Sequence, residues 1–181
     1  MTASFRVSSV KNPSLFGAFF LSVWLWGSWG YSQGTEVQLE IASNPSINFT
    51  ADRSSFALNF PNFTQGSVTN LVEVNYSVTA NNVIRTKDVV LAKLDEAFPN
   101  IALEAQFDSY NKLGGDAHLV PTHNGFVALT TQDVGLADKV KDEGNGTMLD
   151  GTFVIRYQAE ALEDQPAGQH IRTLTVVFAD T

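Results

Sequence analysis

Two observations predict that this chain is an all-β protein, an antiparallel β-sandwich that follows a signal peptide. First, short segments with apolar residues at every second position recur along the chain, and Gly, Pro, Asn and Asp residues separate them. Second, no long segment repeats its apolar residues with the period of an amphipathic helix. The chain has 181 residues, of which 44% are apolar, so one domain can bury a substantial core.

The clearest strands lie at the end of the chain. Apolar residues occupy alternate positions in 153–159 and again in 174–178, as they do in a half-buried strand. Residues 163–169 lie between these two segments and contain Pro166 and Gly168, which favour a turn. We therefore predict a β-hairpin at the C-terminus.

The start of the chain has the pattern of a signal peptide. Arg6 and Lys11 provide positive charge without any acidic residue, and 15–26 is an apolar run too short to cross a bilayer comfortably. Small residues favour cleavage after Gly30, and a cut near Gly34 fits equally well. An uncleaved membrane anchor is the alternative interpretation.

The composition fits an exported protein and argues against several classes of function. There is no cysteine, which removes disulfides, thiolate catalysis and cysteine-based zinc sites. The 11 basic and 19 acidic residues give a net charge of −8, which argues against nucleic acid or an anionic membrane surface as a partner. We expect the protein to be secreted, periplasmic or on the cell surface.

No internal repeat or low-complexity linker interrupts the chain after the leader. We therefore assign 1–34 to the signal peptide with a short lead after cleavage, and 35–181 to a single sandwich domain. The first segment of this domain, 35–50, keeps one apolar phase on both sides of Pro45. The residues of that phase are Val37, Leu39, Ile41, Ile47 and Phe49. A strand that crosses from one sheet to the other at the proline explains this pattern.

Alternation predicts four further strands in the first half of the domain, at 56–60, 72–78, 88–94 and 101–107. Residues 93–98 overlap the end of the strand predicted at 88–94 and could instead form a short helical turn.

The region that follows has weaker patterns. Residues 111–124 are irregular, and 126–129 fit a short strand. The polar, glycine-containing segment 133–147 is predicted to be a loop or an excursion at a sheet edge.

Two groups of residues raise the question of a metal site. His118, His123 and nearby Asp116 carry ligand types that zinc and copper accept, but their spacing matches no strong ligand motif. The loop 138–150 is rich in oxygen ligands, yet their order differs from that of a calcium-binding hand. We predict surface histidines and a solvated acidic turn, with no metal and no cofactor.

The sequence also lacks the local signatures of catalysis. There is no Gly-x-Ser-x-Gly elbow and no phosphate-binding glycine loop, and we predict that the protein is not an enzyme. Four asparagines, Asn48, Asn62, Asn75 and Asn145, fit the N-glycosylation acceptor pattern, and whether they are modified stays open.

Taken together, several stretches resemble the major pilins of the alternate chaperone–usher class, the colonisation-factor fimbriae. The stretches are 37–47, with Asn44-Pro45-Ser46 after the first strand; 72–81, with the longest clean alternation; 87–94; and 167–178. The resemblance spans most of the domain, but it is a pattern of strands and turns.

This resemblance implies an immunoglobulin-like sandwich and donor-strand exchange. In such pilins the N-terminal extension of one subunit completes the fold of the next, so 35–50 becomes the candidate donor and Val37, Leu39, Ile41, Ile47 and Phe49 its inward residues. The implied partners are other copies of the chain or related subunits, and a periplasmic chaperone.

We therefore expect an exported structural or adhesive cell-surface subunit that assembles by β-strand addition. The alternative is a monomeric binding module for carbohydrate or protein. Sugar sites usually expose aromatic rings, and Tyr110 and Phe126 are the loop-proximal candidates. A hydrolase or metal-binding protein ranks third.

Overall fold

The computed structural model describes residues 34–42, 47–62, 64–164 and 169–180, and within these ranges the regular structure is entirely β. The prediction of an all-β fold is therefore confirmed. The predicted leader falls outside the described residues except for Gly34, and so does Pro45.

The described ranges contain eleven strands. They are β1 (Gly34–Ala42), β2 (Ile47–Ala51), β3 (Ser55–Asn59), β4 (Val72–Ala80), β5 (Val90–Leu94), β6 (Ile101–Gly115), β7 (Ala117–Pro121), β8 (Val127–Ala128), β9 (Val134–Lys141), β10 (Leu149–Ala161) and β11 (His170–Phe178).

These strands form two sheets that pack face to face as a β-sandwich. The six-stranded sheet has the order β3-β1-β11-β5-β9-β7, and the five-stranded sheet has the order β2-β4-β10-β6-β8. Strand β1 pairs with β11 in parallel, whereas the other pairs of named strands are antiparallel. The buried side chains of both sheets form one continuous core.

Alternation along each strand explains why these segments pack as they do. Burial alternates along all of β10, so every second side chain enters the core while its neighbours face outward. Strand β4 follows the same rule from Val74 to Ala80, and Phe56 and Leu58 of β3 are buried. The strands predicted at 56–60 and 72–78 are therefore confirmed.

Aromatic rings fill the centre of the core. Phe153 of β10 stacks on Tyr76 and on Phe107, with 5.2 Å between ring centroids in each pair. Phe49 of β2 lies 5.9 Å from Phe153 on one side and meets Phe178 of the opposite sheet at the same distance. Such stacked pairs stabilise a core beyond the area that they bury.

The predicted C-terminal hairpin is wrong. Strand β10 pairs with β4 and β6 in the five-stranded sheet, whereas β11 pairs with β1 and β5 in the six-stranded sheet. The connection between them therefore crosses from one sheet to the other. Alternation predicts one buried face for each strand. The alternating pattern is the same whether the next strand joins the same sheet or the opposite one.

Three weaker predictions also need correction. The segment 133–147 is not a loop, because β9 occupies most of it and pairs with both β5 and β7. The irregular stretch 111–124 contains the end of β6 and all of β7. The proposed helical turn at 93–98 is absent, since β5 runs to Leu94 and bends follow it.

We predict that Phe153→Ala lowers the free energy of unfolding by about 3–5 kcal/mol, because it leaves a cavity among three stacked rings. Chemical denaturation measures this loss. The matched control is Ser77→Ala on the outer face of neighbouring β4, which should change stability by no more than about 0.5 kcal/mol. Equal effects of the two substitutions would contradict the assignment of Phe153 to the centre of the core.

Candidate functional site

The candidate donor segment occupies both sheets of its own chain. Strand β1 lies between β3 and β11, and β2 forms an edge of the five-stranded sheet beside β4. The segment therefore crosses between the sheets, as the alternation across Pro45 suggested. Val37 is fully buried, and Ile47 and Phe49 are buried in the same core. The role of this segment as a donor stays a prediction.

The second half of β1 is held less tightly than the first half. Strand β3 pairs only with 34–38 of β1, so β3 does not cover the outer edge of β1 beyond Leu39. Leu39 and Ile41 are half-buried and line an open groove of about 590 Å³ together with Phe49, Ala51 and the polar residues 50 and 52–54. The free edge of a strand beside such a groove is the kind of surface to which an extended segment adds.

His118 belongs to an ion-pair cluster. Its Nδ1 lies 2.5 Å from Oδ1 of Asp142, whose Oδ2 lies 2.6 Å from Nζ of Lys112. The hydrogen bond from Lys112 is the main cause that holds the pKa of Asp142 below its usual value. His123 lies in the bend after β7 and is not part of this cluster. Within the described ranges no three acidic or histidine side chains are positioned to hold a metal ion.

The acidic loop 138–150 is built around hydrogen bonds within the protein. Asp116 accepts a hydrogen bond of 2.9 Å from the backbone N of Gly146 and one of 2.6 Å from that of Met148. These backbone donors lower the pKa of Asp116, with the bond from Met148 as the largest cause. Gly146 has a φ of +68°, which favours glycine in this turn. Asp116, which lies outside 138–150, therefore shapes this turn through its carboxylate.

Lys139 is a buried cation that the sequence did not reveal. Its Nζ donates to the carbonyl oxygens of Val83 and Gly146, and only 6% of the residue is exposed. Burial lowers the pKa of Lys139, and the charge of Asp116 opposes this effect. Val83 lies 56 residues from Lys139 in the sequence, so no local pattern could have indicated this site.

Asp138 precedes Lys139 and is also buried. Its carboxylate accepts hydrogen bonds of 2.5 Å from Nζ of Lys87 and 2.8 Å from the backbone N of Asp88. Burial raises the pKa of Asp138, but these hydrogen bonds outweigh burial and the pKa falls below 3.8. Asp138 therefore ties the loop before β5 to β9.

The two aromatic residues considered for sugar stacking, Tyr110 and Phe126, are both partly buried. Tyr110 packs against the core and lies over Gly151, where an added Cβ would come within 2.6 Å of its hydroxyl. Burial raises the pKa of Tyr110 to about 12, and the charge of Asp150 adds to this effect. Phe126 is half-buried. The four asparagines of the glycosylation pattern (Asn48, Asn62, Asn75 and Asn145) are exposed.

We predict that Asp138→Asn lowers the free energy of unfolding at neutral pH and reduces its dependence on pH. Because the folded pKa of Asp138 is lower than its unfolded value of 3.8, the carboxylate stabilises the fold above that pH and loses its effect as the pH falls through the folded pKa. The variant should lose about 1–3 kcal/mol at neutral pH and little at low pH.

Urea unfolding at a series of pH values checks this prediction. Asp133→Asn is the matched control, because Asp133 forms an exposed ion pair with Lys93 and its side chain is 49% exposed. A constant difference between Asp138→Asn and the unsubstituted protein at all pH values would contradict the prediction.

Comparison with known proteins adds no relative. No protein-family model matches the chain, and no curated protein sequence matches it. No helix in the described part of the chain is long and apolar enough to span a bilayer.

Proposed function

We propose that this chain is an exported structural or adhesive cell-surface subunit with an immunoglobulin-like sandwich, and that it assembles by β-strand addition. In this proposal residues 35–50 of one copy complete the sheets of a neighbour. One observation carries the proposal: the first segment of the domain supplies a strand to each sheet, and its pairing with β11 is parallel.

The position of β1 suits exchange between copies. It pairs with β11 over eight consecutive residues, from Thr35 opposite His170 to Ala42 opposite Val177. Because β1 precedes every other strand of the domain, the same segment from a neighbour can take its place without threading the chain. Exchange of an identical element preserves each contact at little cost in free energy.

Backbone and side chains contribute differently to this contact. The ladder with β11 supplies main-chain hydrogen bonds, which bind any extended segment. Val37, Ile47 and Phe49 enter the core at alternate positions, and this spacing selects the matching segment. Leu39 and Ile41 face the open groove, where the exchanging segment can begin to separate.

Head-to-tail exchange that does not close on itself produces a filament. The acidic composition and the predicted leader support export of such a subunit. The implied partners are other copies or related subunits, with a periplasmic chaperone during assembly. The proposed activity is structural and requires no catalytic residue, metal or cofactor.

A pair of introduced cysteines tests whether β1 pairs within its own chain or with a neighbour. Gln38 and Thr173 lie opposite each other in β1 and β11, and both face outward. Paired residues of adjacent strands lie within disulfide range, and the chain has no cysteine of its own. We expect Gln38→Cys with Thr173→Cys to yield disulfide-linked multimers on non-reducing gels.

The matched control is Ser77→Cys with Thr152→Cys, which joins β4 and β10 on the outer face of the other sheet. These strands are not exchanged in the proposal, so this pair should form only an intrachain disulfide. If the β1–β11 pair also gives only monomers with an internal disulfide, strand addition by 35–50 is wrong.

A further inference from the structure

The pattern Asn-x-Ser/Thr, which marks acceptors of N-linked glycans in exported proteins, occurs four times in the chain. Its asparagines are Asn48, Asn62, Asn75 and Asn145. All four are exposed in the fold, so exposure alone does not distinguish them. They differ in the backbone around them and in the residue that stands two positions earlier, and these two features separate one site from the other three.

Two of the asparagines lie within strands. Asn48 belongs to β2, where it pairs with Thr79, and Asn75 belongs to β4, where it pairs with Val154. The Nδ2 atom of Asn75 also donates a hydrogen bond of 2.7 Å to Asp52. A transferase binds its acceptor as a separate segment in its own cleft, and a strand can enter such a cleft only after its ladder hydrogen bonds break. Folding therefore closes both positions to modification.

Asn62 lies in a bend after β3, and its neighbours are already engaged. Oγ1 of Thr64, the hydroxyl of its acceptor pattern, donates a hydrogen bond of 2.7 Å to the Asn62 side chain. The backbone N of Thr64 donates to the same oxygen at 3.3 Å. Phe60, two positions before Asn62, is buried in the core. The segment that a transferase must bind is thus fixed to the sandwich on one side.

Asn145 lies at the tip of the turn between β9 and β10. Glycines flank it on both sides, and Gly144 and Gly146 have φ angles of +55° and +68°. In the described part of the chain, the side chain of Asn145 forms no hydrogen bond or ion pair. Asp116 shapes the turn through the backbone N of Gly146 and of Met148, so binding of the turn by an enzyme loosens these bonds but no strand. Exposed turns of this kind are where other enzymes reach a folded chain.

The residue two positions before Asn145 is Glu143. Bacterial oligosaccharyltransferases, which act in the periplasm, accept the Asn-x-Ser/Thr pattern only where an acidic residue stands at that position. Glu143 is exposed, and among the described residues its side chain has no hydrogen-bond or ion-pair partner. Glu73 has the same relation to Asn75, but it pairs with Nε of Arg156 at 3.0 Å. The segment 143–147 therefore combines the acidic residue with an accessible turn.

We propose that Asn145 is an N-glycosylation site, modified in the periplasm by an oligosaccharyltransferase that recognises Glu143 and Thr147 together with the asparagine. The donor is an oligosaccharide carried on a polyprenyl diphosphate. Nδ2 of Asn145 forms a bond to the anomeric carbon of the first sugar, and the bond from that carbon to the diphosphate oxygen breaks. The diphosphate leaves with the electron pair, the amide nitrogen releases one proton to solvent, and nothing is oxidised or reduced.

This inference rests on the export in the proposed function and is independent of strand addition, because Asn145 lies outside 35–50. A glycan is bulky and solubilising. At this turn it stands beside Met148, whose apolar side chain is exposed, so it shields that end of β10 from non-specific contact.

The test places the full chain in a bacterial host that carries a periplasmic oligosaccharyltransferase and a lipid-linked oligosaccharide of known mass. Intact mass of the periplasmic protein and mapping of its peptides locate the glycan. We expect one glycan per chain, on Asn145. Asn145→Gln should abolish it. Glu143→Gln and Thr147→Val should each lower its occupancy at least about tenfold, because each removes a group that the transferase binds.

The matched control is Glu73→Gln with Asn75→Gln, which removes the same pair of residues from β4 and should leave the occupancy unchanged. All these positions lie on the surface or in a turn, and a thermal melt verifies that the variants fold. A periplasmic chain without a glycan, a glycan on another asparagine, or full occupancy in Glu143→Gln would overturn the proposal.

A second measurement separates the site from export and from the fold. The purified chain is mixed with the purified transferase and the same lipid-linked oligosaccharide, beside synthetic peptides of residues 71–79 and 141–149. Both peptides should accept the glycan, whereas the folded chain should accept it at Asn145 and not at Asn75. Equal modification of both asparagines in the folded chain would refute the role of the turn. A chain that stays in the cytoplasm but accepts the glycan here would count against export alone.

Discussion

The contact on which the rest of the structure depends is the packing of Phe49 between the two sheets. Phe49 belongs to the five-stranded sheet, where it stacks on Tyr76 at 5.7 Å, and it also meets Phe178 of the opposite sheet. The buried faces of both sheets therefore meet at this side chain, as they also do where Phe56 stacks on Tyr157 at 4.9 Å. Burial of an apolar residue of this size contributes about 1.5–3 kcal/mol, so loss of the Phe49 ring weakens the contact between the sheets.

This constraint links the fold to the proposed assembly. Phe49 lies in the same N-terminal segment as Val37, so removal of the segment opens the core at two places. A copy that gives up this segment must receive an equivalent one, which makes exchange close to neutral at equilibrium but slow to begin. In the proposed exchange, the half-buried positions Leu39 and Ile41 are the part of β1 from which separation would begin.

Buried polar groups give the sandwich its specific arrangement. The hydroxyls of Tyr76 and Tyr157 lie 2.7 Å apart, so each satisfies the other inside the core. Asp138 accepts a hydrogen bond from Asp88 and Lys139 donates one to Val83, so both side chains hold β9 to the loop before β5. Unsatisfied groups of this kind are costly in an apolar interior, so an alternative register of β9 is strongly disfavoured. These hydrogen-bonded polar groups therefore fix the arrangement of the strands around them.

The alternation of apolar and polar residues determined that this protein is all-β, and it located β3, β4 and β10 together with the inward faces of Val37, Ile47 and Phe49. It did so because each strand of a sandwich buries every second side chain, whatever its neighbours are. Only the tertiary structure decided which sheet each strand joins, so β10 and β11 were mistaken for a hairpin. Only the tertiary structure placed Lys139 in the interior, since its carbonyl partners at Val83 and Gly146 are supplied by other segments of the chain.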